Sequence, residues 1–430
     1  MKTPYEIASY AIESLEKGGA DDISVSCHEG IKNELNAETG EFSLLRTTAD
    51  KGLGLTCIAS NKKGTVACND ITKEGVDKAV EEALLSAKSA NEDPAWEISR
   101  EPVEKSYTFG KPYDKEKMFF RAKELLDTVK KDYPNASVME LVVSHESSKG
   151  LYLNNHGVRF DTDMSCYVVS ANIIGRDGGK SSSMNYRTVL SYDLDKPFIE
   201  LADLKTLLEN TSNSVHTEVF SGKGVYPVVL APSCFDTLLS YALGAFASGS
   251  SLLENTSIWK DSLNKSVASS MLTISIDPYN KTMVCPDMYT SEGYEAKGYS
   301  IIKEGVLKNF MLSAYFANKL GLKRSPNDGN NLIVNAGDKS LDDIVSGIDK
   351  GLLVGRFSGG MPASNGEFSG VAKNSFIIEN GKIAKAAAET MISGNLAEML
   401  NSISALSKET LKTGYMSVPY AAVDGITVSA

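Results

Sequence analysis

Residues 139–191 read MELVVSHESSKGLYLNNHGVRFDTDMSCYVVSANIIGRDGGKSSSMNYRTVLS. Apolar and polar residues alternate through most of this stretch. Turn-forming Asn-Asn-His-Gly and Asp-Gly-Gly interrupt it. The pattern predicts a meander of antiparallel strands. Helical patterns lie on either side. Thr3 is a candidate N-cap, Pro4 suits the first helical position, Glu6 completes a capping box, and Ile7, Ala8, Ala11, Ile12 and Leu15 form one stripe. TKEGVDKAVEEALLSAKSA and KEKMFFRAKELLDTVKKDYP are predicted helices, the second ended by Pro134. Helices and strands mix without strict βαβ alternation, so the fold class is α+β.

Three regions are expected: an N-terminal mixed α/β region over 1–100, a middle α+β segment over 115–217 packed with it, and a β-rich C-terminal domain with packed helices over 220–430. Residues 92–114 lose periodicity and hold Pro94, Pro102 and Pro112, which predicts a linker or wrapping segment. LGLTCIAS-NKKG-TVACND predicts a hairpin with Asn61 and Gly64 in its turn. FIELADLKTLLENTSNSVHTEVF reads as helical. NLAEMLNSISALSKET reads as a closing amphipathic helix, with Leu396, Met399, Leu400, Ile403 and Leu406 on one face, and the last residues read as a strand.

Composition narrows the function. At 430 residues, with 42% hydrophobic and 23% charged residues, the chain has the make-up of a globular protein with real cores. The net charge of −11 argues against a broad phosphate-binding surface. No apolar run approaches the ~18 residues of a membrane span. The N-terminal 20 residues carry Glu6, Glu13 and Glu16 where a signal peptide needs an apolar core, so the reading is a cytoplasmic chain. The six cysteines form no CxxC and the four histidines no HxxxH, so zinc spacing is absent. The cysteines read as scattered free thiols in a reducing compartment.

Other motifs carry little. SGKG lacks the P-loop pattern and reads as a turn before a strand. GRDGG, 175–179, reads as a hairpin turn. Cys234 opens a helix, but no His or Asn pattern accompanies it. His156 reads as a turn residue beside Gly157.

Two blocks resemble a known family. TSEGYEAKGYSIIKEGVLKNFMLSAYFANKLGLK, 290–323, has the S-E-G, the hairpin and the A…KLGLK of the TldD/PmbA proteins, often labelled modulators of DNA gyrase. GLLVGRFSGGMPASNGEFSGVAKNSFIIENGKI, 351–383, and ISGNLAEMLNSI, 392–403, match its glycine-rich stretch and its G-N before the last helix. DKGLGLTCIASNKKGTVACND, 50–70, is similar to the hairpin of its first domain.

The family has two kinds of chain. TldD-like members are zinc peptidases with an HExxxH helix and a later cysteine ligand; PmbA-like members, also called TldE, share the fold without the ligands. Where a TldD-like chain reads LLHEAVGH, this chain reads LLSYALGA, 238–245. Ser240 stands at the first His, Tyr241 at the Glu and Ala245 at the second His. Near the late cysteine stand Tyr415 and Met416. The resemblance therefore implies a degenerate active-site helix in a PmbA/TldE-like subunit. It implies no catalytic residue, no metal ligand and no cofactor in this chain, with zinc in a TldD-like partner. Ser291, Glu292 and Gly293 are candidate peptide contacts.

The helix itself shows a regular stripe of Phe235, Leu238, Leu239, Ala242, Leu243 and Phe246. Ser233 with Asp236 resembles a capping pair, and Gly244 and Ala245 permit close approach of another backbone. The helix also reads simply as core packing on a sheet. The expected partners are a TldD-like subunit or a second copy, with a peptide as substrate, and neither nucleic acid nor membrane. The alternative is a stand-alone homodimeric peptide-binding or regulatory protein, a gyrase modulator included.

Overall fold

A computed structural model describes residues 3–429. At its start the Thr3 side chain accepts the Glu6 N–H while the Glu6 carboxylate accepts the Thr3 N–H, and Pro4 opens the helix Pro4–Lys17. This reciprocal cap satisfies two donors that helix geometry leaves without partners.

The fold is α+β, and the described residues form two sheets. The first runs in the order Lys62–Cys68, Glu41–Ala59, Asp22–Glu38, Ala136–Asn154, Val158–Asp177, Val103–Phe109, with Lys180–Ser181 and Asn185–Ser191 also on Val158–Asp177. The segments 1–100 and 115–217 thus contribute strands to one sheet. Its strands are long. Val158–Asp177 has 20 residues, about 65 Å at ~3.3 Å per residue. Two-residue turns with both residues in the left-handed region, Thr39-Gly40, Ser60-Asn61 and Gly178-Gly179, join its hairpins. Their twist matches that of the flanking strands.

Helices cover one face. Pro4–Lys17 and Lys73–Ser89 bury Ile7, Leu15, Val76 and Ala83 against Ile23, Val25, Leu53 and Leu55. Lys115–Asp132 and Leu204–Asn213 bury Met118, Leu125 and Leu208 against Val143, Val169 and Ile173. The alternation along Asp22–Glu38 sets this: Ile23, Val25, Leu35 and Ala37 point one way, Ser24, Ser26 and Glu34 the other.

In the second sheet Met416–Ser429 is central. It pairs parallel with Leu332–Val334, and antiparallel with Lys223–Leu230, Thr390–Asn395 and Ile403–Lys412. The largest core lies between this sheet and the helices Pro232–Phe246 and Leu396–Asn401.

Several local expectations change. The closing helix stops at Asn401, and Ile403–Lys412 is a strand. Irregularities at 403–405 and 406–410 shift its register, so the period-2 signature is hidden and apolar spacing mimics a helix. Over 198–220, one short 3-10 turn precedes the helix Leu204–Asn213 and the helix ends there. Residues 103–109 are not linker but a strand parallel to Val158–Met164. Gly64 lies in the strand Lys62–Cys68, not in a turn. A Cβ there would fall 2.1 Å from the Ala83 carbonyl oxygen, so glycine lets the helix Lys73–Ser89 lie against the strand.

Residues 93–99 act as a strap between the two sheets. Asp93 accepts from Tyr315 Oη at 3.0 Å and pairs with Lys319 at 2.8 Å. Trp96 stacks on Tyr315 at 4.0 Å. Glu97 accepts from Tyr294 and from Asn318, and the Ser99 N–H donates to the Glu292 carbonyl at 2.8 Å.

Candidate functional site

The helix Pro232–Phe246 follows directly from the strand Lys223–Leu230. Pro232 occupies its first turn, where a missing N–H costs nothing. Cys234, Phe235, Leu238, Leu239, Ala242, Leu243 and Phe246 are buried in the core. Burial pushes the Cys234 thiol up to about 12, which removes it as a nucleophile. The opposite stripe is Ser233, Asp236, Thr237, Ser240, Tyr241, Gly244 and Ala245. Ser240 and Gly244 are exposed; Tyr241 and Ala245 are half-buried and pack on the core. A Cβ on Gly244 would meet open space, so among the described residues no backbone approaches there.

Ser233 and Asp236 do not cap the helix, which has no side-chain cap. Ser233 Oγ instead accepts from Arg187 Nη1 at 2.7 Å. Arg187 comes from the strand Asn185–Ser191 of the first sheet, is buried, and holds Asp203 through two bonds of 2.6 and 2.8 Å. This fork-to-fork pair fixes the guanidinium plane and pins the first sheet to the start of the helix.

A cavity of about 240 Å³ opens at this junction. Arg187, Asp203, Ser233, Asp236, Arg356 and Tyr415 are among the residues around it. Burial drives the Asp236 carboxyl up to about 6, against the opposing pull of Arg187. Burial also raises Tyr415, and takes Tyr420 to about 12. Tyr415 reaches the cavity because the chain turns at Gly414 (φ +92°), packed on the Leu190 carbonyl.

The structure brings Ser240, Tyr241 and Ala245 together on one helix, with Tyr415 beside the helix turn that holds Asp236. Met416 is buried at the start of the central strand. Among the described residues no three His, Cys, Asp or Glu side chains converge as a metal site. Serine and alanine supply no zinc donor, and tyrosine is a poor general base near neutral pH. The residues on this helix do not fit a zinc ion.

Ser291, Glu292 and Gly293 lie elsewhere, against the first sheet. The Ser291 N–H donates to Asp328 at 2.8 Å, and the Glu292 carbonyl accepts from Ser99. Gly293 (φ +87°) sits where a Cβ would come within 2.5 Å of the Tyr152 hydroxyl. Burial raises the carboxyls of Glu292 and Asp328. Ser291 rims an open groove of about 390 Å³ on the helix-free sheet face, with Ser24, Ser26, Thr56, Thr65 and Tyr152. His156 is more than a turn residue, since its Nε2 contacts Asp22, which Arg100 also holds at 3.0 Å. Sequence reasoning missed Arg187, Asp203, Arg356 and the contacts by which the wrapping segment 93–99 is held. Arg187 lies 46 residues from Ser233, and no local pattern links them.

This two-sheet α+β chain matches two models of a family described as metallopeptidases. A family model described as the PmbA/TldA metallopeptidase C-terminal domain matches residues 223–430, and one described as the PmbA/TldA metallopeptidase domain 1 matches 24–87. The chain belongs to the PmbA/TldD family. It is 26% identical to the metalloprotease PmbA of Escherichia coli O157:H7, over 93% of this chain and 90% of that one. It is 22% identical to a metalloprotease of Methanocaldococcus jannaschii, over 96% and 94%. The crystal structure of TldE from Thermococcus kodakarensis has the same fold, with a TM-score of 0.84 at 22% identity, covering 98% of this chain and 99% of that one.

Proposed function

We propose that this chain is the non-zinc-binding, TldE/PmbA-like subunit of a cytoplasmic TldD–TldE type metallopeptidase that acts on unfolded or extended peptides. One observation carries the reading. The helix Pro232–Phe246 is folded, packed and partly open on its outer stripe, yet Ser240, Tyr241 and Ala245 offer neither metal donors nor a base. The chemistry then belongs to a related chain with an intact HExxxH helix, and this chain binds and confines the peptide. The groove rimmed by Ser291 offers a place for it, because the hydroxyls of Ser24, Ser26, Thr56 and Thr65 can both donate to and accept from a peptide main chain. Glu292 and Gly293 hold the loop that presents Ser291.

The test mixes this chain with a purified TldD-like relative and follows digestion of an unfolded peptide. The expected result is cleavage by the mixture well above the relative alone and none by this chain alone. Elemental analysis of this chain is expected to find far less than one zinc per chain. Cleavage by the isolated chain, or no gain on mixing, rejects the reading.

A further inference from the structure

Cys27, Cys57 and Cys68 donate their S–H groups to the carbonyls of Pro4, Ala83 and Asp70, and Cys234 is sealed in the core. Cys166 and Cys285 differ, because each is the side-chain hydrogen-bond partner of the other. Cys166 lies on the strand Val158–Asp177 of the first sheet. Its neighbours Tyr167 and Val169 point into the helix-covered core, so strand alternation turns Cys166 to the helix-free face. Phe160 shares that face, and Tyr289 stacks on it at 4.7 Å. The segment 284–291 thus lies over the first sheet, with Tyr289 on Phe160 and Cys285 at Cys166. Backbone contacts hold it there. The Cys285 N–H donates to Tyr192 Oη at 2.8 Å. Tyr192 directly follows the strand Asn185–Ser191, in which Ser191 lies opposite Tyr167. The Val284 N–H donates to the Gly414 carbonyl at 2.7 Å. Cys285 has φ +47°, although it precedes Pro286, where a residue ordinarily takes extended backbone. Such a conformation persists only where the surroundings impose it.

We propose that Cys166 and Cys285 form a redox modification site, which a hydroperoxide converts into a disulfide between the first sheet and the segment 284–291. Cys166 is buried and Cys285 half-buried, so Cys285 meets the oxidant first. The Cys166 S–H beside it holds the Cys285 thiol below its ordinary value. The same contact, with burial, keeps Cys166 protonated. The thiolate is the nucleophile. With hydrogen peroxide, the Cys285 sulfur bonds to one oxygen, the O–O bond breaks, and the other oxygen leaves with the thiol proton as water. The Cys166 sulfur then attacks the resulting sulfenic sulfur. The S–S bond forms, the S–O bond breaks, and hydroxide leaves with the Cys166 proton as a second water. The two sulfurs have then given two electrons to the peroxide. A dithiol reverses the change by exchange through a mixed disulfide. In a reducing compartment disulfides are usually of this transient kind. The bond fastens to the first sheet the segment that carries Tyr289 and Ser291, both of which line the open groove. The proposal does not depend on the peptidase reading.

The full chain, freshly reduced, is treated with a few equivalents of hydrogen peroxide, alkylated, digested and mapped by mass spectrometry. The expected result is one linked pair of peptides holding Cys166 and Cys285, with two of the six thiols lost and both recovered by dithiothreitol. Cys166→Ser removes the resolving thiol, so a sulfenic acid should persist at Cys285 and be trapped by dimedone. Cys285→Ser should slow oxidation of Cys166 about tenfold or more, since the buried thiol then has no thiolate beside it. Circular dichroism checks that both variants are folded; the mapping of the natural chain decides the matter even where one is not. Six intact thiols, or a link between any other pair, overturns the proposal. So does a folded Cys166→Ser chain without the dimedone adduct at Cys285, or a folded Cys285→Ser chain in which Cys166 oxidises at its natural rate.

Discussion

Asp236 shows how one side chain records the burial around it. Burial holds its carboxyl up to about 6, above the ordinary unfolded value of ~3.9. A raised acid binds more protons folded than unfolded. Its folded state therefore loses stability as pH rises from about 4 to 6, and the loss persists above that window. Asp236→Asn removes the buried charge. The expected outcome is a gain of about 1–3 kcal/mol at pH 7.5 and little change at pH 4, measured by urea unfolding at both pH values. Equal effects at the two pH values would show that Asp236 is not held protonated by its surroundings.

Two glycines make opposite demands on their elements. Gly64 lies so close to the helix Lys73–Ser89 that a Cβ would fall 2.1 Å from a helix carbonyl oxygen, whereas Gly244 borders open space in mid-helix. Gly64→Ala should push the helix off its strand and cost about 1–3 kcal/mol. Gly244→Ala should stabilise by about 0.5–1 kcal/mol, since alanine restricts the unfolded chain and favours the helix. Denaturant midpoints that move in the same direction would refute this contrast. Elements with a clean period were legible in the sequence: the helix Pro4–Lys17 with its capping box, the helices Lys73–Ser89 and Lys115–Asp132, and the meander through 139–191. The strand Ile403–Lys412 was not, because its irregular register broke the alternation. Of the site, the helix through 238–245 was legible from its apolar stripe of Phe235, Leu238, Leu239, Ala242, Leu243 and Phe246. The Arg187–Asp203 pair was not, because only the folded chain brings its strand to the helix.

At the scale of the molecule, two sheets depend on a short strap. Trp96 lies between Tyr315 and the Lys63 ammonium, 4.3 Å from its ring centre, and Asp93 anchors Tyr315 and Lys319. Trp96→Ala removes the stack and the cation contact together. If the opening of the strap costs about 1.4 kcal/mol less, limited proteolysis within 91–102 should run about tenfold faster, while the cores of the two sheets stay protected. Cleavage at the natural rate would assign the cohesion of the two sheets to other contacts.

The long strand Asp22–Glu38 also sets a timetable. One neighbour, Glu41–Ala59, follows it after a two-residue turn. The other, Ala136–Asn154, is more than a hundred positions downstream, with Ser24 opposite Asn154. At roughly 5–20 residues per second on the ribosome, the nascent hairpin waits several seconds or more with the backbone groups along one edge of Asp22–Glu38 unpaired. A chaperone that shields a half-built sheet has its window there, and synonymous codons that slow translation between 60 and 136 would lengthen it.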